Sequence, residues 1–143
     1  MGLDIVFIRV KHRDLSEGQE VEDLADDKRK SIACFRKVNF LLPFFDYEDN
    51  CSYKEVTKEQ VENLVNACEL ALKYEPKEKD GILTAKEEDE LGKILPTQDG
   101  FFFGNVHYDQ WYFSDVKAVM KKFKPMLERK WWNDSALFMW CWW

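Results

Sequence analysis

A chain of 143 residues suits one domain with one core, since single domains most often run to about 100–150 residues, and 45% hydrophobic with 34% charged residues excludes wholesale disorder. The formal charge of -6 opposes electrostatically driven binding to a nucleic-acid backbone or an anionic membrane. Aromatic residues are in excess, with six Trp, five Tyr and eleven Phe, so the chain has either a ring-rich core or a ring-lined surface.

In chain order, residues 3–10 (Leu-Asp-Ile-Val-Phe-Ile-Arg-Val) are β-branched and aromatic and predict a largely buried strand. Arg9, Lys11 and Arg13 follow the opening residues at once. The roughly 7–15-residue apolar run of a secretory signal is therefore missing, and no run of about 18 apolar residues occurs anywhere. Val6 replaces the Ser or Thr of a myristoylation pattern, so a cytoplasmic protein with no membrane attachment is expected. Residues 14–30 carry seven acids against three bases and read as a solvated loop leading into a helix near Val21. Ile32, Phe35, Phe40 and Leu41 fit a helix reaching Leu42 before Pro43 ends it.

Residues 50–56 read as a loop and a short strand. Thr57 with Gln60 forms a capping box, and Val61, Leu64, Val65, Cys68, Ala71 and Leu72 follow at helical spacing up to Tyr74. Residues 75–90, again seven acids and three bases around Asp80-Gly81, read as a mobile exposed connection with some helix after Thr84. The three rings at 101–103, between Gly100 and Gly104, favour a short strand. Asp109 caps a helix on which Trp111, Tyr112, Val116, Val119, Met120 and Phe123 repeat at three and four, until Pro125 ends or bends it. Residues 136–143 form a closing strand. The whole is an α+β fold over residues 1–143: a small sheet that includes both terminal strands, side by side, packed with three to four helices.

Cys34, Cys51, Cys68 and Cys141 contain no C-x-x-C pair, and His12 and His107 stand far apart, so no metal site is expected and buried reduced thiols are. The rings around 101–112 form either a core or a pocket for a planar ligand, in which a stacked base is worth roughly 1–3 kcal/mol. Asp99, Asn105, His107 and Asp109 surround the helix start, yet neither phosphate-binding glycine pattern is present there, and no cofactor is expected. His107 beside Asp109 suits acid–base work or a plain surface position. Arg36, Lys37 and Asn39 either clamp an anion or lie on a helix flank. The acidic runs are solvated loops or a face for a basic protein. Alternation along Trp140-Cys141-Trp142-Trp143 makes both faces apolar, which fits a sandwiched strand or a homodimer contact.

The segments Met1-Gly2-Leu3-Asp4, Phe35-Arg36-Lys37-Val38-Asn39 and Asn50-Cys51, the run from Leu95-Pro96-Thr97-Gln98 to Gly100-Phe101-Phe102-Phe103-Gly104, and Tyr108-Asp109-Gln110-Trp111-Tyr112 together resemble a family. It is a widespread family of small uncharacterised proteins of bacteriophages, prophages and bacteria, some labelled phosphoglycerate kinase. The resemblance implies a phage-type protein acting in a host cytoplasm and supplies no mechanism. The kinase label fails physically: that reaction needs two large domains and phosphate-handling loops, which a chain of this length does not hold. Expected from all this is a non-enzymatic, anti-defence type of binding protein that sequesters a small nucleotide-like ligand or occupies a host protein. Its candidate contacts are Tyr108, Asp109, Trp111, Tyr112, Arg36 and Asn39. The alternatives are an acidic, immunity-like inhibitor of a basic protein and a small enzyme using His107 and Asp109.

Overall fold

The structure, a computed structural model, describes residues 2–15, 18–78, 80–100 and 102–143. Four antiparallel strands, β1 (Asp4–Lys11), β2 (Lys30–Arg36), β3 (Tyr53–Val56) and β4 (Ser135–Trp142), form one sheet in the order β2-β1-β4-β3. The two terminal strands are central and adjacent, with Asp4 opposite Trp142 and Lys11 opposite Ser135. The helices are α1 (Leu41–Phe44), α2 (Lys58–Leu72), α3 (Ala85–Ile94) and α4 (Gln110–Met126), which gives the expected α+β arrangement. No helix among the described residues is long and apolar enough to cross a membrane.

Alternation along the central strands divides the apolar residues between two faces. Ile5, Phe7, Leu137, Met139 and Cys141 point to the main core, where α2 brings Val61, Leu64 and Cys68 and α4 brings Phe113, Val116 and Phe123. Phe7 sits at its centre, edge-on to Phe123 at 4.8 Å, to Phe45 at 5.9 Å and to Phe35 at 6.2 Å between ring centroids. Ile8, Val10, Ala136 and Phe138 point the other way and are covered by Val21 and Leu24.

Local sequence accounts for the helix starts. Thr57 and Gln60 close the expected capping box on α2, and Thr84 with Glu87 closes a second on α3. Asp109 caps α4, accepting from the N–H groups of Trp111 (3.0 Å) and Tyr112 (3.1 Å). Pro125 lies in the last turn of α4, which ends one residue later.

Three local expectations are corrected. Residues 32–36 are strand, because pairing with β1 from Asp4↔Arg36 to Arg9↔Lys30 decides a segment whose apolar spacing also fits a helix. Only the single turn of α1 remains of the expected helix, with Pro43 at its third residue, where its missing N–H costs nothing. Near Val21 there are short 3-10 turns (Val21–Asp23 and Asp26–Lys28), which suit a segment with just two buried residues three apart, Val21 and Leu24. Phe102 and Phe103 are not strand: Phe102 is left-handed (φ 64°) and the Phe103 N–H closes a turn on the Gly100 carbonyl (3.1 Å), while Phe101 lies outside the described residues. Of the four cysteines, Cys68 and Cys141 are buried and desolvation raises both thiols to about 12, whereas Cys34 and Cys51 are exposed.

Tyr47 joins the β3 and β4 ends. Its hydroxyl donates to the Ser52 carbonyl (2.6 Å) and accepts from the N–H groups of Ser52 (3.1 Å) and Cys141 (2.9 Å). Tyr47→Phe leaves the buried Cys141 N–H without its acceptor and is expected to lower unfolding stability by about 1–3 kcal/mol in a urea titration.

Candidate functional site

The last residues of β2, the loop after Leu95 and the first turn of α4 meet around a hollow of about 150 Å³. Arg36 and Lys37 line it from the end of β2, and Trp111 and Asp115 line it from α4. Phe40 and Tyr112 make its floor, while Gly104, Asn105 and His107 close the side. Five of the six expected contact residues, Arg36, Asn39, Asp109, Trp111 and Tyr112, therefore converge from segments about seventy residues apart. Tyr108 lines a neighbouring hollow of about 220 Å³ beside Glu75 and Gly81, with Asp109 on the boundary between the two.

These residues differ in what they leave available. Asn39 is buried and serves as the pin of the loop: its Nδ2 donates to the carbonyls of Phe103 (3.1 Å) and Asn105 (3.0 Å), and its Oδ1 accepts from the Gln98 N–H (3.0 Å). Tyr112 is also buried, donating its hydroxyl to the Leu95 carbonyl (2.9 Å), and burial drives its ionisation far above the usual phenol range. Both shape the hollow while their polar atoms face inward. Asp109 is occupied by the helix cap and by Asn105 Nδ2 (2.8 Å), while His107 two residues before it stands exposed. Trp111 is the opposite case, 66% exposed one residue past the helix start.

The backbone around the hollow is held in unusual conformations. Lys37 has φ 58°, which costs a non-glycine residue roughly 1–3 kcal/mol, and its N–H is fixed by the Leu3 carbonyl (2.8 Å). Gly104 opposite has φ 87°, and a side chain there would come within 3.2 Å of Lys37 Cβ. The loop at Gly104 therefore presses closely on Lys37, just past the end of β2.

Asp115, one helical turn beyond Trp111, was not among the expected contacts. Burial first and the Asp109 charge second raise its carboxyl to about 6. Since its proton is held more tightly in the folded state, stability falls as pH rises from about 4 to about 6 and is then level. The ceiling for such a shift is about 3 kcal/mol, and partial solvent screening reduces it to roughly 1 kcal/mol. Asp115→Asn is expected to raise stability at pH 7 by about that amount and to leave it unchanged at pH 4, as read by thermal unfolding at both pH values.

Two more exposed rings stand near this end of the sheet. Phe102, 44% exposed, lies next to the opening of β1, where its carbonyl accepts from the Leu3 N–H (3.2 Å). Trp142, 51% exposed, pairs across β4 and β1 with Asp4, which in turn pairs with Arg36. Trp143 by contrast packs edge-on against Phe103 at 5.3 Å, and Trp140 is half-buried beside Tyr53. Comparison with known protein families, with curated proteins and with solved structures finds no match for the chain.

Proposed function

We propose that the protein is a non-enzymatic binding protein that occupies a partner protein through the end of the sheet bearing Trp111, Phe102 and Trp142. The observation that carries this reading is that three of the five large apolar side chains exposed among the described residues belong to this end of the sheet: Trp111 lines the hollow with Arg36 and Lys37, Phe102 lies beside the start of β1, and Trp142 stands across β1 from Arg36. Exposed tryptophan beside arginine is the composition of an interface hot spot. Size argues for a protein over a free nucleotide. Pockets that enclose small ligands run to roughly 300–1,000 Å³, whereas this hollow of about 150 Å³ suits one inserted side chain. A phage-type origin, which the sequence resemblance implies, would make the partner a host protein and the contact an anti-defence one.

The test places a photo-crosslinking phenylalanine analogue at position 111 in the cells that naturally make the chain. A discrete heavier adduct is expected, lost when Trp142→Thr is added. An adduct of twice the chain's mass assigns the face to a homodimer and overturns the reading. So does a nucleotide that raises the melting temperature of the purified protein by several degrees, as about 100 times its dissociation constant would, adding roughly 2.7 kcal/mol. Trp111→Gln alone is expected to change unfolding stability by less than about 0.5 kcal/mol, because the ring is largely in solvent.

A further inference from the structure

Although the chain is acidic overall, its bases are not spread evenly. Arg9 and Lys11 on β1, Arg13 just after it, Lys28 in the 3-10 turns and Lys30 on β2 line a hollow of about 400 Å³, with Asp14 and Asp27 as its acids. A second hollow of about 500 Å³ shares Arg9 and Lys30 and adds Lys121 and Lys122 on α4 and Arg129 shortly after it. Eight cations from four segments thus form one continuous track, and among the described residues none of the eight pairs with an acid. The field is felt locally: the Asp134 carboxyl lies below the usual range, first through its hydrogen bond from Ser135 and then through Arg9, Lys11 and His12.

The middle of the track is built rigidly. Trp132 donates its indole N–H to the Met126 carbonyl (3.0 Å) at the end of α4 and stacks on Trp131 at 4.4 Å. Arg9 lies 5.5 Å from the Trp131 ring centre and donates its Nε to Ser135 Oγ (3.2 Å). A guanidinium held at two points loses little entropy when it meets an anion.

We infer that this track binds the sugar–phosphate backbone of a single-stranded nucleic acid. Backbone contact needs cations at intervals and no enclosed pocket. The first hollow is lined by charged side chains alone, without the desolvated apolar centre that a protein interface uses. The second adds Ile32 and Trp131, against which a sugar or base edge can rest. Net charge sums the whole surface, so -6 weakens long-range attraction without cancelling a local cluster. The track uses none of the residues assigned to partner docking and stands or falls separately from that reading.

Fluorescence anisotropy with a labelled 20-nucleotide oligothymidine, from 50 to 300 mM salt, tests it. Binding should weaken with salt at a slope of about 0.7 per phosphate contact, and Lys121→Glu with Lys122→Glu should weaken binding at 50 mM at least about tenfold and lower the slope. Lys58→Glu with Lys86→Glu, the same charge change on α2 and α3, should alter binding less than about twofold. No binding at 50 mM overturns the inference, as does equal loss in both double variants. Equally tight binding of a polyglutamate peptide also overturns it, since the surface would then serve an acidic protein.

Discussion

Phe7→Ala should cost about 3–5 kcal/mol of unfolding stability, the range for removing a large ring from a well-packed core. Phe7 is fully buried on the central strand and touches rings from β2 (Phe35), from the segment after α1 (Phe45) and from α4 (Phe123). Those three rings come from different parts of the chain and cannot all collapse into the space left behind. At the residue scale of a chain this size, a loss of that order lowers the melting temperature by about 10 °C or more. Phe7→Leu refills much of the volume and should cost less than half as much, as guanidinium titration of the three proteins would show. A loss below about 1 kcal/mol for Phe7→Ala would mean that the core is organised differently.

Asn39→Ala is expected to cost about 2–4 kcal/mol, through unmet hydrogen bonds and not through lost volume. Its amide ties three backbone groups of the loop to the end of β2, and of these the bond to the Phe103 carbonyl is buried. Asn39→Asp keeps the acceptor for Gln98 and loses both donated bonds, so it should also be destabilised. Because the pin positions the loop facing Trp111, Asn39→Ala should also increase hydrogen exchange across residues 97–106, while the α2 amides stay protected until global unfolding. Exchange unchanged in the loop would show that Gly104 and Lys37 hold it without Asn39.

The parts of this fold that could be read from the sequence are those decided within a few residues. Thr57 with Gln60 and Asp109 before Trp111 act through hydrogen bonds to their own helix turns, so these starts are visible in a string of letters. The terminal strands are visible because β-branched and aromatic residues alternate over their whole length. β2 is different: Ile32 and Phe35 fit both periods, and its partner strand, more than twenty residues away, makes the choice. The left-handed Phe102 was hidden for a related reason, since the turn closing on Gly100 overrides the strand preference of a phenylalanine run.

At the candidate site the residue group around Arg36, Asn39 and residues 108–112 was legible from its polar and aromatic mix, but the division of labour inside it was not. Asn39 and Tyr112 turn inward because backbone carbonyls at Phe103, Asn105 and Leu95 need donors, which is known only once the loop is placed. Asp115 was missed because an acid on an amphipathic helix looks solvated until its neighbours are known. The basic track is assembled from residues 9 to 129, so no window of sequence contains it.

In the proposed reading, the exposed rings Phe102, Trp111 and Trp142 serve an interaction and not the stability of the monomer. The most direct check is the unfolding free energy of a triple variant, Phe102→Asn, Trp111→Gln and Trp142→Thr. Each replacement suits its backbone: asparagine tolerates the left-handed turn, glutamine the helix and threonine the strand. The expected result is a stability within about 1 kcal/mol of the parent. A loss of about 3 kcal/mol or more, the size of a core truncation, would show that these rings hold the monomer together and would contradict the proposed binding surface.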